Sequence, residues 1–211
     1  MCPWCYIGWG NLRQALQMLE GEIAAEPRWH AFELNPEMPE EGEDRVAHIA
    51  RKYGRTEDQA KAVQGQMKAA AQAAGVSLDY EGQGTPPPAM MWNTFAAHRL
   101  LAWAGEEHGA ARQTELKLSL FSAHFNYRRP VGKRDELIAI AREKGFDPAE
   151  TAAAFEDEAF AHKVRAEERA AWDLNITGVP AMIVENRFMI PGAQPPEGYV
   201  TILRRVVEKT A

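Results

Sequence analysis

The chain has 211 residues, a formal net charge of −6 and 45% hydrophobic residues, enough for one generous domain, or a small domain carrying a large insertion, with a real core. Its acidic balance argues against a nucleic-acid partner or an anionic membrane surface. No apolar run approaches the roughly 20 residues that span a bilayer and no signal peptide precedes the first motif, so no membrane partner and a cytoplasmic location are expected.

Cys2-Pro3-Trp4-Cys5 contains the only two cysteines and opens an amphipathic pattern over residues 3 to 20, with Ile7, Leu12, Leu16 and Leu19 at helical spacing. Pro3 fits the first helical turn, where a missing N–H costs nothing, and that register leaves Cys2 at the cap with its sulfur exposed. Unpaired N–H groups and the positive end of the macrodipole favour a thiolate there. Cys2 is the expected nucleophile, and Cys5, one turn inward and shielded, the expected resolving thiol. Structural zinc needs four ligands, and His30, His48, His98, His108, His124 and His162 offer no second pair at ligand spacing, so no metal is expected. A static structural disulfide would close too short a loop to remove much entropy from the unfolded chain. Two inert buried cysteines are the remaining ordinary alternative, which this spacing disfavours. Gly8 and Gly10 are expected to loosen the first turns.

Arg28 to Leu34 reads as a strand, with His30, Phe32 and Leu34 on one face, ended by Asn35-Pro36. Asn35 would sit near a ligand above the sheet, although Asn-Pro is also a good strand terminator. From about Asp44 to Asn175 the pattern is almost pure helix, with no further convincing strand. Val46, Ile49 and Tyr53 form a stripe, and Thr56-Glu57-Asp58-Gln59 resembles a capping box. Gly82 to Pro88 is a loop. Met90 to Glu107 resumes as helix, on which Asn93 and His98 could line a cleft, with helix capping by Asn93 an equal alternative. Further helices are expected over 110–125, 133–144 and 148–173, the last capped by Asp147-Pro148 and interrupted around Glu156 to Ala159. Ala181 to Val184, a tight turn at Glu185-Asn186, and Arg187 to Ile190 read as a β-hairpin. Pro196 to Lys209 reads as a terminal helix with Tyr199, Ile202, Leu203 and Val206 inward. Pro180 directly precedes the first hairpin strand. An ordinary trans proline is the commoner reading of such a position, and only the company of C-x-x-C favours a cis bond after Val179.

Helix, strand, long helical region, X-Pro hairpin and final helix, with C-x-x-C on the first helix, resemble a thioredoxin-like α/β fold. The segments CPWCYIGWGNL, FELNPEMPEEGED, NTFAAHRLL, TGVPAMIV and GAQPPE resemble the DsbA family, and within it the FrnE-like branch, over essentially the whole chain. The resemblance implies a discontinuous thioredoxin-like domain, 1–43 with 175–211, interrupted by a large all-helical insertion, 44–174. It also implies a central strand before the C-x-x-C helix. Only Met1 stands there, so the first strand is expected to be missing from this chain, supplied either by an upstream segment or by a partner chain. Carried over to these residues, it makes Cys2 the attacking thiol, Cys5 the resolving thiol, and Val179-Pro180 a cis bond that clamps substrate, with Pro3 and Trp4 beside it.

Thiol–disulfide exchange is the function this implies, on a thiol- or disulfide-bearing protein or small molecule, with no cofactor beyond the redox-active pair and with glutathione as a possible co-substrate. Because Pro3-Trp4 supplies no cationic donor, a less strongly oxidising pair is expected than in relatives with histidine beside the second cysteine. The alternative enzyme class is a glutathione-dependent isomerase or transferase of the 2-hydroxychromene-2-carboxylate isomerase and kappa type. Those relatives usually place serine at Cys2 and an aspartate where this chain reads Gly192-Ala193-Gln194. A thioredoxin-like module that binds without turnover is the third class. No oligomeric state is implied.

Overall fold

Cys2 is extended (φ −104°, ψ 122°) and Pro3 occupies the first turn of helix α1, Pro3–Met18. A computed structural model describes residues 1–54 and 57–210 of the chain. Its contacts divide the chain into two units, one of Met1, 26–60 and 79–175, the other of 2–25, 61–78 and 176–211. These units cut the chain elsewhere than the expected boundaries: 26–43 groups with the helices, and 61–78 with the cysteines.

In the first unit, β1 (Glu43–Asp44) leads into α2 (Arg45–Tyr53) and pairs antiparallel with β2 (Met90–Met91). The helices are α4 (Phe95–Glu107), α5 (Gly109–Phe125), α6 (Arg134–Glu143), α7 (Pro148–Ala154) and α8 (Glu158–Asp173). Leu100, Leu116, Leu120, Val131, Leu137, Ile140 and Val164 form their shared core. Asp147 caps α7 by accepting from the N–H groups of Ala149 and Glu150, and Asp157 caps α8 through Ala159. The break between the two falls at 155–157, where Arg99 donates to the Phe155 and Asp157 carbonyls at 2.8 and 3.0 Å and so satisfies acceptors that the interrupted helix frees.

The strand expected at Arg28 to Leu34 is absent. The N–H of Trp29 donates to Gln113 Oε1 at 2.9 Å and that of Ala31 to Glu167 Oε2 at 2.7 Å, so side chains of α5 and α8 take the place of a neighbouring strand. The alternation is also reversed. Ala31 and Glu33 are buried, while Leu34 is exposed and the His30 side chain lies 70% open. Glu33 is retained inside by Arg165, 2.7 Å away. These bonds also explain why 26–43 belongs with the helices.

Three helical expectations need correction. β1 and β2 are short strands within the stretch read as pure helix. Met90 to Thr94 is not helical: Asn93 Oδ1 accepts the Phe95 N–H at 2.9 Å, and the helix starts there. Of the stripe expected in α2, Val46 is 71% exposed and the Tyr53 side chain lies outside what the structure describes, while His48 is buried and bonded to Glu43 at 2.8 Å. Thr56, which opens the expected capping box, lies outside the described residues.

The second unit joins α1 to most of α3 (Glu57–Ala73), the hairpin β3 (Ala181–Val184) and β4 (Phe188–Pro191), and α9 (Pro196–Thr210). The hairpin register pairs Met182 with Ile190 and Val184 with Phe188. Its turn places Glu185 and Asn186 at φ +53° and +50°, the positive-φ pair that a tight hairpin demands. Met182, Val184 and Ile190 face Leu12, Ala15, Leu19, Tyr199 and Leu203, so helices α1 and α9 share one core beneath the hairpin. Ile7 packs on Ala71 and Ala74, and Arg13 and Gln14 donate to the Gly75 and Ala73 carbonyls at 3.3 and 3.0 Å, closing the end of α3.

Candidate active site

The extended backbone of Cys2 and the missing N–H of Pro3 leave the first turn of α1 open toward the Cys2 sulfur, with no side-chain cap in the way. The two cysteines are not joined in a disulfide in this structure, and both are partly buried. The expected contrast of an exposed Cys2 and a shielded Cys5 is thus slight. Trp4, between them, is 40% exposed and offers an apolar surface.

Two sets of contacts act on Cys2 Sγ in opposite senses. A hydrogen bond from the Cys5 side chain is the largest influence, and the backbone N–H groups of Cys5 and Trp4 add to it. Together they outweigh burial and bring the Cys2 thiol down to about 6, as a helix N-terminus does for a thiolate. On the other side, the Val179 carbonyl accepts from the Cys2 thiol at 3.7 Å. That oxygen favours the thiol, because a thiolate has no proton to give it. The rate of Cys2 alkylation by iodoacetamide is therefore expected to rise with a midpoint near pH 6 and level off above pH 7. A midpoint at about 8.5, the value of an unperturbed thiol, would refute the arrangement.

The Val179–Pro180 peptide is cis. Pro180 packs against α1 at Gly8, where an added Cβ would stand 3.3 Å from Pro180 Cγ and 3.6 Å from Tyr199 Oη. The Gly192 N–H donates to the Pro180 carbonyl at 2.8 Å, and Tyr199 Oη donates to the Gly192 carbonyl at 3.4 Å. Asn11 Nδ2 donates to the Gln194 carbonyl at 2.8 Å, and Gln194 Nε2 to that of Pro191 at 2.6 Å. None of Gly8, Asn11 or Tyr199 was singled out as a site residue. Gly8 lies three residues after Cys5, on the same helical face, and that spacing was the available signal.

The structure gathers Cys2, Pro3, Trp4, Cys5, Val179 and Pro180 in the second unit. Asn35, Asn93 and His98 belong to the first. There Asn35 Oδ1 accepts from Lys52, and Asn93 ties the Met38 carbonyl, at 2.9 Å, to the start of α4. His98 is held neutral: burial first, then the Lys117 charge, push it down to about 3. Among the described residues no group of three or more His, Cys, Asp or Glu is placed to hold a metal ion, and no helix is long and apolar enough to cross a membrane.

A family model described as a DSBA-like thioredoxin domain matches residues 1–204. A search of curated protein sequences gave no match. Among solved structures, the probable DsbA oxidoreductase SCO1869 from Streptomyces coelicolor is 30% identical, with a TM-score of 0.80 over 97% of this chain and 85% of that one. A 2-hydroxychromene-2-carboxylate isomerase is 18% identical, with a TM-score of 0.68 over 99% and 93% of the two chains. The cytosolic disulfide reductase DsbM from Pseudomonas aeruginosa is 17% identical, with a TM-score of 0.53 over 99% and 95%. The last two likenesses are of fold alone.

Proposed function

Because this chain belongs to the DSBA-like thioredoxin domain family, we propose that it is a thiol–disulfide oxidoreductase working through Cys2 and Cys5. The observation that carries this reading is a Cys2 thiol brought down to about 6 with Cys5 as its main hydrogen-bond partner. The attacking sulfur is thus ionised at neutral pH, and the resolving sulfur already lies beside it.

In the reducing direction the Cys2 thiolate attacks one sulfur of a substrate disulfide. A Cys2–substrate disulfide forms, the substrate S–S bond breaks, and the second substrate sulfur leaves as a thiolate that takes up a proton. Cys5 then loses its proton and attacks Cys2 Sγ. The substrate's remaining thiol departs, and a Cys2–Cys5 disulfide stays behind with two electrons moved to substrate. Oxidation of a substrate dithiol runs the same steps backward. Glutathione returns the pair to the dithiol after substrate reduction, glutathione disulfide returns it to the disulfide after substrate oxidation, and no bound cofactor is required. Val179 offers its backbone to an extended substrate beside Cys2, and Trp4 an apolar flank.

A thiol at about 6 lies between the roughly 7 of thioredoxin and roughly 3.5 of DsbA, nearer the former. Equilibration with glutathione, followed by tryptophan fluorescence, is expected to show a two-electron transition between about −270 and about −180 mV. If glutathione binds without any reversible transition, the glutathione-dependent isomerase or transferase class replaces this reading. Gln194 weighs against that class, since its side-chain amide is spent on the Pro191 carbonyl and carries no charge for an ammonium group.

A further inference from the structure

Tyr199 is 1% exposed and sits among Leu12, Ala15, Leu19, Ile190 and Leu203. Phenylalanine would fill that place without the cost of burying a hydroxyl, which demands a partner. The hydroxyl accepts from the Gln194 N–H and donates to the Gly192 carbonyl, and Gly192 is bonded on both sides: its N–H reaches back to the Pro180 carbonyl at 2.8 Å while its own carbonyl accepts from Tyr199 at 3.4 Å. Pro180 is the neighbour of Val179, whose carbonyl meets Cys2 Sγ at 3.7 Å. One relay thus runs from the core of α9 to the nucleophile.

We infer that Tyr199 is a positioning residue for Cys2: by holding Gly192 it keeps the Pro180 corner, and with it the Val179 carbonyl, against the Cys2 sulfur, and so restrains Cys2 from ionising further. Gly192 is exposed, so without the hydroxyl its carbonyl loses its donor inside the protein and turns to water instead. The corner bonded to it loosens. The Cys2 thiol then loses its acceptor, and the thiolate loses a carbonyl oxygen that repels it. Both changes favour the thiolate, and a more stable reduced form makes the pair a stronger oxidant. Tyr199 is fitted to this role because burial, with the Cys5 charge adding to it, outweighs a hydrogen bond from the Gln194 N–H and raises the phenol above its ordinary range, which keeps it a donor.

The test is Tyr199→Phe in the full chain, read first by Cys2 alkylation against pH. The midpoint is expected to fall by about half a unit, roughly threefold more thiolate on the acidic side. The glutathione equilibrium should shift toward a more oxidising pair in step. A purely structural Tyr199 would lower the melting temperature and leave the alkylation midpoint in place, which would overturn the inference. Should Tyr199→Phe fail to fold, a monofluorinated tyrosine at position 199 keeps the shape and strengthens the donor, and the midpoint is then expected to rise; an unmoved or lower midpoint overturns the inference. Only the redox half of this inference rests on the thiol–disulfide reading. Absence of any reversible exchange in the unsubstituted protein would sink that reading, while the alkylation midpoints would still decide the role of Tyr199.

Discussion

Cys2→Ser abolishes disulfide exchange, by about a thousandfold or more, because a serine hydroxyl at neutral pH neither ionises nor forms a disulfide with substrate. Insulin reduction with glutathione as electron source measures it, and full activity in Cys2→Ser would overturn the assignment of Cys2 as the nucleophile. Cys5→Ser behaves differently. It keeps the nucleophile and loses the resolving sulfur, so reaction with glutathione disulfide stops at a Cys2 mixed disulfide, visible as one glutathionyl group added in the intact mass. Because the Cys5 hydrogen bond is the largest of the influences lowering the Cys2 thiol, removing the donor also has an electrostatic effect. Cys5→Ala should raise the alkylation midpoint more than Cys5→Ser, whose hydroxyl still donates. Equal midpoints in the two variants would show that the backbone N–H groups alone hold the thiolate.

Much of this second unit was legible because its signals are local. Cys2 and Pro3 mark where α1 must begin, the stripe of Ile7, Leu12 and Leu19 marks its buried face, and Glu185-Asn186 marks a turn that the flanking apolar runs can only close as a hairpin. The first unit was legible in its helices and caps for the same reason, down to the break that Asp157 introduces before α8. What failed was decided at long range. Segment 28–34 has the alternation of a strand, yet its inward face is Ala31 and Glu33, because Gln113, Glu167 and Arg165 supply polar partners 84, 136 and 132 residues away. In α2 a buried His48 displaced Val46 because Glu43 was there to accept from it. Neither choice follows from hydrophobicity.

The site was legible in its chemistry and only partly in its construction. C-x-x-C named the reacting sulfurs, and Pro180 before an apolar strand named the corner that faces them. The sequence does not show that Val179 would present its carbonyl to Cys2, nor that Gly192, just past β4 at φ +70°, would carry the bond linking that corner to Tyr199. Such links depend on how the hairpin lies over α1 and α9, a matter of packing between residues as far apart in sequence as Cys2 and Val179, 177 positions.

Gly10 is where the two kinds of information collide most sharply. Glycine inside a helix costs up to about 1 kcal/mol relative to alanine, and by that rule Gly10→Ala should stabilise the protein. Here an alanine Cβ would lie 2.4 Å from the Ala74 carbonyl oxygen and 3.1 Å from its carbon. The obstacle is backbone, held in place by Ile7, Ala71 and the bonds from Arg13 and Gln14, so it cannot swing aside as a side-chain tip would. Helix α1 has to part from the end of α3. Overpacking of this kind costs about 2 to 3 kcal/mol, or roughly 4 to 12 °C in melting temperature for a chain of this size. Gly65, inside α3, has nothing within 4 Å of its would-be Cβ, and Gly65→Ala should raise the melting temperature instead, by the propensity gain alone. Thermal unfolding of the two variants side by side is therefore expected to give opposite signs. Stabilisation by both would mean that α1 does not press on Ala74 and that Gly10 is in this helix for some other reason than close approach.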